Sequence, residues 1–422
     1  MLEICFLRRP EDTRTCPDQK GAHDLLKNAQ PTSQSFHACH ERNGQNHRII
    51  GMNRLLLPLL FILIPMASLA HEHDRIPALH PGGDVYKTEG PNDDSIYGTT
   101  IGEKTMLMVY THFPDMDPPE ETTQQAAKKI LGEGRFLDIF HQQSYGKLKI
   151  TIDHVHGWKT MPRPKEKNDP KTTEGHRQMF VDIFSLYPKV NFHDYDYIVA
   201  KLPGRGNFAF GERDNRAIPY RDGFINHAVN IGSNHYGVLA HEVAHCMGLP
   251  DIYTYGDLKP KNPAGAWDLM SSAGNAAGFL GWHRHKLGWL DDDRKTYLNQ
   301  GSHTVELQAL DAGKGTSMIV VPVDNIEQPG VVFVAEIGQA PNPKEDEIPW
   351  PAGVLIYRVD ATKATGCNPL VVFPNKDLDA GATFLAGDTF KHDEAPLQLT
   401  VDKALDGGGY KVTVTVSAPA KP

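Results

Sequence analysis

The run His241-Glu242-Val243-Ala244-His245-Cys246-Met247-Gly248-Leu249-Pro250-Asp251 decides the reading of this chain. Asn234 is a suitable N-cap and Gly248 a suitable stop, so a helix is expected from about 234 to 247. On it His241 and His245 stand one turn apart on the same face, where both imidazoles reach one ion. Glu242 lies about 100° further round and reaches a water on that ion without becoming a ligand. Past the glycine the chain turns back, bringing Asp251 six residues after His245. Two imidazole nitrogens and one carboxylate oxygen leave a fourth tetrahedral position to water, the open arrangement of a catalytic zinc rather than a closed structural one. A glutamate ligand further along has no nearby candidate, because no Glu occurs between Glu242 and Glu306. The five-residue pattern alone is moderate evidence, since an amphipathic helix with two satisfied histidines reads the same way. The Gly and Asp at fixed later offsets make it specific. An Asp ligand donates more charge than a third His, so the water is less acidic and Glu242 matters more as general base.

Outward from this helix, strands and helices alternate up to about residue 290, which predicts an α/β (α+β) first domain over 101–295. Strands are expected at 104–111, 147–155 and 195–201. Helices are expected within 121–142, split by Gly132 and Gly134, and at 173–187. A strand at 224–232, just before the metal helix, is a candidate cleft edge for pairing with an extended substrate. After Asp291-Asp292-Asp293 the texture changes to short alternating strands at 303–309, 317–323, 330–336, 352–359, 397–401 and 409–417. No helical period of useful length accompanies them, so residues 296–422 read as an all-β, sandwich-like domain.

Upstream, Met52-Asn53-Arg54 leads into an apolar run closed by Ala67-Ser68-Leu69-Ala70. A basic start, an apolar stretch of signal length and small residues at 68 and 70 predict a signal peptide over 52–70, and hence secretion. The run is too short, and too rich in proline, for a permanent membrane anchor. Residues 1–51 are polar and carry Cys5, Cys16 and Cys39; they are expected to be an upstream extension, with translation starting at Met52. Residues 71–100 read as a leader or short pro-segment. In an oxidising compartment Cys246 and Cys367 either pair or stay buried.

The 422 residues suit two domains, and 40% hydrophobic with 23% charged residues is ordinary globular composition. With 43 Lys+Arg against 52 Asp+Glu the formal net charge is −9. Without a basic block, that balance argues against nucleic acid as a partner.

The motif His241-Glu-Val-Ala-His-Cys-Met-Gly-Leu-Pro-Asp251-Ile-Tyr253, followed by Trp267-Asp268-Leu269-Met270-Ser271 and Leu287-Gly288-Trp289-Leu290, resembles the immune inhibitor A family of secreted zinc metallopeptidases. Phe113-Pro114-Asp115, Ser144-Tyr145-Gly146-Lys147-Leu148 and Gly353-Val354-Leu355-Ile356-Tyr357-Arg358-Val359-Asp360 are also similar, so the likeness spans about 100–360. The resemblance implies a zincin (metzincin-like) catalytic domain binding one catalytic zinc ion through His241, His245 and Asp251. Glu242 would be the base, Met270 the Met-turn residue beneath the metal, and proteins or peptides the substrates.

Weaker signals stand beside these. Tyr253, Tyr255, His283 and His285 are candidates for stabilising an oxyanion. His154 and His156 share a strand face, and His71 and His73 follow the signal. Asp291–Asp293 and Asp377–Asp379 could each help hold Ca2+, yet neither has the full ligand spacing. Taken together these features predict a secreted zinc endopeptidase. Its rivals are a secreted binding or adhesion protein with a vestigial zinc site, which the intact Glu242 disfavours, and a zinc hydrolase of a non-peptide substrate.

Overall fold

The structure is a computed structural model. It describes residues 76–79, 81, 87–167, 173–204, 207–210, 217–274, 278–323, 328–338, 352–378, 381–393 and 395–417. The extension at 1–51, the signal at 52–70, His71, His73 and Asp379 lie outside the described residues.

The described chain is a mixed α/β protein with several sheets. The first sheet has the order β2-β1-β3-β7-β4, with β1 Gly102–His112, β2 Leu148–Thr160, β3 Tyr197–Lys201, β4 Phe208–Phe210 and β7 Ala228–Ile231. β2, β1, β3 and β7 run parallel, and β4 closes one edge antiparallel to β7. Parallel strands need crossovers, so both faces are covered. On one face Met106, Met108, Tyr197, Val199 and Val229 pack with α1 Thr123–Ile130, α2 Arg135–Gln143 and α4 Tyr236–Cys246. On the other, Leu107, Val109, Ile198 and Ala200 pack with Met179, Phe180 and Ile183 of α3 Thr173–Ser185.

Glu133 at φ +57° between Gly132 and Gly134 separates α1 from α2, where the two glycines predict a break. The 224–232 stretch is not one strand. It divides into β6 Gly223–Ile225, which pairs with β5 Ile218–Tyr220 in a separate hairpin, and β7. β7 has β3 on one side and β4 on the other, so it offers no edge where one was expected, and the free edge on that side of the sheet is β4.

Strands with β-period alternation fill the C-terminal part. A sheet of order β13-β12-β11-β10-β8 (Leu370–Val372, Val354–Asp360, Val331–Ile337, Met318–Pro322, Lys295–Tyr297) lies near one of order β14-β15-β16-β9 (Thr389–Lys391, Leu397–Ala404, Tyr410–Val416, Gly301–Leu307). The former is a middle layer. Met318, Val320, Val332, Val334, Leu355, Tyr357 and Val359 join the core that contains α4. Their neighbours Ile319, Val321, Phe333, Ala335 and Ile356 face Leu399, Val401, Val412 and Val414 of the other sheet. Burial on both faces explains why β10 and β11 are almost continuously apolar, and it ties the β-rich half to α4 through a shared core.

Residues 87–100 are woven into that core. Lys87, Thr88, Glu89 and Tyr97 are buried, and Asp94–Tyr97 forms one helical turn capped by Asp93. The Thr365 N–H donates to Lys87 O (2.8 Å), and Trp289 Nε1 donates to Thr100 O (2.8 Å).

Candidate metal centre

α4 begins one residue later than its sequence suggests. His235, not Asn234, is the N-cap, and its Nδ1 accepts from the Gly237 N–H (3.1 Å). An imidazole nitrogen replaces the expected amide oxygen, and Ser233 Oγ supports it by accepting from the His235 N–H (3.0 Å). A Cβ on Gly237 would stand 2.1 Å from Ala273 O, so the first turn of α4 packs directly on the loop after Met270. At the other end Gly248, at φ +91°, turns the chain out of the helix. Its N–H donates to His245 O (3.1 Å) while the Leu249 N–H reaches back to Ala244 O (3.2 Å), a Schellman-type stop. Asn92 lies against that turn, its Nδ2 donating to Met247 O (2.8 Å).

The structure brings His241, His245 and Asp251 together: Asp251 Oδ1 is 3.0 Å from His241 Nε2 and 3.0 Å from His245 Nε2. All three residues are buried, as is Glu242. Among the described residues they form the one group of three His, Cys, Asp or Glu side chains whose ligand-type atoms all lie within 4.8 Å.

His241 Nδ1 is 3.0 Å from Leu269 O, and His245 Nδ1 is 2.7 Å from Leu249 O. A carbonyl only accepts, so both Nδ1 atoms carry the hydrogen and both neutral Nε2 atoms present lone pairs. Two lone pairs and a carboxylate oxygen then face one another away from water, which is costly unless a cation sits among them. Burial by itself lowers the basicity of His241, yet the Asp251 carboxylate, Glu242 and the Leu269 carbonyl together outweigh it and shift the group upward. The surroundings therefore favour positive charge, and the three residues fit a metal ion.

His241 is held from outside its helix by the segment 267–271, which supplies the Leu269 carbonyl. Met270 is fully buried; its N–H donates to Asp268 Oδ1 (2.7 Å), and its carbonyl accepts from the Ile252 N–H (3.1 Å). This segment thus fixes the carbonyl that orients His241 and the chain that follows Asp251.

The four oxyanion candidates separate. The Tyr253 ring stacks on His241 at 6.1 Å between centroids, and Tyr255 Oη donates to Asp251 Oδ2. The two histidines serve the fold. His283 Nδ1 meets Asp268 Oδ2 (2.9 Å) and its Nε2 meets Glu89 Oε1 (3.1 Å). Burial disfavours its charge, but Asp268 and Glu89 outweigh that and push it up to about 10. His285 is pushed down to about 3, by burial first and then by Lys295, whose Nζ is 3.0 Å from its Nδ1.

The Cys246–Cys367 bond is not formed. Cys246 is a buried thiol on α4, packed into the core. His154 and His156 stack at 5.1 Å and bond Tyr110 Oη and Thr123 Oγ1 (2.8 and 3.1 Å), a local network on β2. The first two aspartates of the Asp291–Asp293 run considered for Ca2+ are ion-paired instead, Asp291 with Lys147 (2.6 Å) and Asp292 with Lys295 (2.7 Å). Asp377 accepts from the Gly381 N–H (3.0 Å). Sequence patterning left out Thr365 and Gly366, which hold Asp251 from the β-rich half; a distant loop leaves no periodic signal.

No family model matches the chain and no curated protein matches it, so the likeness to immune inhibitor A rests on the motifs. Among solved structures, wild-type OgpA from Akkermansia muciniphila aligns in two crystal forms at 10% identity and TM-score 0.28. One alignment covers 65% of this chain and 92% of that one, the other 75% and 94%. Catalytically inactive OgpA in complex with an O-glycopeptide substrate aligns at 9% identity and TM-score 0.26, over 64% of this chain and 91% of that one. Similarity of that size leaves function to be argued from the chain's own site. That site is a buried cluster able to hold a metal, made of His241 and His245 on α4 and Asp251 beyond the helix end, with the carboxylate of Glu242 following His241 on the same helix.

Proposed function

We propose that this chain is a secreted zinc endopeptidase of zincin type, with residues 101–295 as its catalytic domain and 296–422 as a sandwich domain packed on it. The observation that carries the reading is the convergence of His241 Nε2, His245 Nε2 and Asp251 Oδ1 around one point, with both imidazole tautomers fixed by main-chain carbonyls. Neutral imidazoles and a carboxylate are the donor set of a catalytic zinc, and Met270 then serves as the Met-turn. The motif likeness to immune inhibitor A supports a peptide substrate, and the 52–70 pattern supports secretion.

The metal, when bound, supplies Lewis acidity that polarises a scissile carbonyl and acidifies water. Glu242 follows His241 on α4, so its carboxylate takes the proton of the attacking water and returns it to the leaving amine. Glu242 is itself buried beside the two imidazoles' helix face. Tyr253, stacked on His241, restrains that imidazole and borders the site. The antiparallel edge strand β4 is suited to pair with an extended peptide main chain, which favours an unfolded segment over a compact surface.

Any activating cut falls before residue 87 on this reading, because Glu89 is bonded inside the core to His283. The test uses an unfolded protein substrate. Cleavage by the zinc-loaded chain that stops with chelator and returns with zinc supports the proposal. A zinc-loaded, correctly processed chain that leaves every peptide bond intact contradicts it.

A further inference from the structure

Asp251 has no helix to place it: it lies five residues beyond Cys246, after the turn at Gly248 and Pro250. Its main chain is held instead from the β-rich half. The Asp251 N–H donates to Thr365 Oγ1 (2.8 Å), and the Gly366 N–H donates to Asp251 O (3.0 Å). Two adjacent residues after β12 thus take both main-chain polar groups of the third ligand. The same loop holds a tyrosine. The Tyr255 N–H donates to Gly366 O (3.0 Å), and Tyr255 Oη donates to Asp251 Oδ2. Gly366 is required by that packing: it sits at φ +72°, and a Cβ there would lie 2.2 Å from Tyr255 Cδ2. Asn368 fastens the arrangement further along, accepting from Thr254 Oγ1 and donating through Nδ2 to Lys259 O (3.2 Å).

We infer that Thr365, Gly366 and Tyr255 are positioning residues for the metal: Thr365 and Gly366 set where Asp251 stands, and Tyr255 decides which of its oxygens is offered. With Oδ2 engaged by the phenol, Oδ1 is the oxygen directed at the two imidazoles, 3.0 Å from each. The carboxylate is thereby presented through a single oxygen, which keeps the coordination number low and a position open to water. The β-rich half is then part of the metal centre rather than an accessory, and ligand geometry depends on how β12 and its following loop pack. This rests on the proposed metal site.

The test is a Co2+ titration of the full chain, followed by visible absorption and by competition with a chromophoric chelator. The chains compared are wild type, Tyr255→Phe, Thr365→Val, Thr365→Ser and Asp251→Ala. Near-UV circular dichroism of each metal-free chain reports folding. Tyr255→Phe and Thr365→Val are expected to weaken Co2+ by about 10–100-fold, the usual cost of losing an outer-shell partner, and to alter the ligand-field spectrum. Thr365→Ser, which keeps the acceptor oxygen, restores both. A purely structural role would change thermal stability and leave the spectrum of bound Co2+ as it is. Either variant, folded by near-UV signal and with wild-type affinity and spectrum, overturns the inference. A wild-type chain that binds no Co2+ at all retires the metal reading itself, so the two failures are distinguishable.

Discussion

Replacing Gly248 by alanine tests how the helix stop and the 87–100 segment depend on one another. Gly248 adopts φ +91°, where an L-residue pays about 1–2 kcal/mol. Its new Cβ would also stand 2.3 Å from Asn92 Oδ1. Asn92 is a flexible side chain and can swing away, but doing so breaks its bond to Met247 O, worth about 1 kcal/mol. The sum is about 2–3 kcal/mol. At roughly 1–1.5 °C per kcal/mol for a chain of this length, Tm of the metal-free protein should fall by roughly 2–4.5 °C. The thermodynamic cycle with Asn92→Ala separates the parts. Asn92→Ala alone should cost about 1 kcal/mol. The double variant should cost no more than Gly248→Ala, because the bond is lost only once. Thermal unfolding followed by circular dichroism measures all four chains. A Gly248→Ala chain within 1 °C of wild type (about 0.7–1 kcal/mol) would refute the reasoning, and so would full additivity in the double variant.

Three further outcomes follow from the same structure. His283 is held at about 10 by Asp268 and Glu89 against an ordinary 6.5, so its contribution to stability is complete below about pH 6.5 and drains away as pH rises toward 10. Glu336 is pushed up to about 7 by burial, so it adds a loss between about pH 4.5 and 7. The Tm of the wild type should therefore decline from pH 6.5 to 10, and His283→Asn should start lower and flatten that slope; parallel slopes would refute the assignment. Removing one partner of the buried Glu89–His283 pair should cost about 3–5 kcal/mol, read by urea unfolding of Glu89→Ala. A chain beginning at residue 87 should fold, whereas one beginning at 101 should not, since the latter leaves His283 and Trp289 without Glu89 and Thr100; equal solubility and near-UV signal in both would contradict this.

Elements governed by local periodicity were legible in the sequence. β1, β2, α3 and the late strands β9, β10, β11, β12, β15 and β16 fall within a few residues of where alternation, helical spacing or an apolar run puts them, whereas the three-residue strands β8, β13 and β14 are too short to carry a pattern. The stop at Gly248 was legible for a similar reason, since a positive φ at a helix end selects glycine. The start was not, because His235 caps with a ring nitrogen and shifts the boundary by one residue. The pairing of β7 was hidden too: a run of apolar residues does not announce whether a neighbour lies on one edge or both. Convergence of His241, His245 and Asp251 could be anticipated from helix geometry and a turn. Thr365 and Gly366 could not, being 114 and 115 positions beyond Asp251 on a loop that carries no period of its own. Glu89 meeting His283 is illegible for the same reason: it lies 194 residues away in sequence.

The central claim is tested most directly by measuring metal content and peptide hydrolysis together in three chains: wild type, Glu242→Gln and Asp251→Ala. The account predicts one zinc per wild-type chain with cleavage of an unfolded protein. It predicts one zinc per Glu242→Gln chain with cleavage reduced about 10²–10⁴-fold. Asp251→Ala should lose both metal and activity. Full hydrolysis by Glu242→Gln, or zinc retained undiminished by Asp251→Ala, would contradict it.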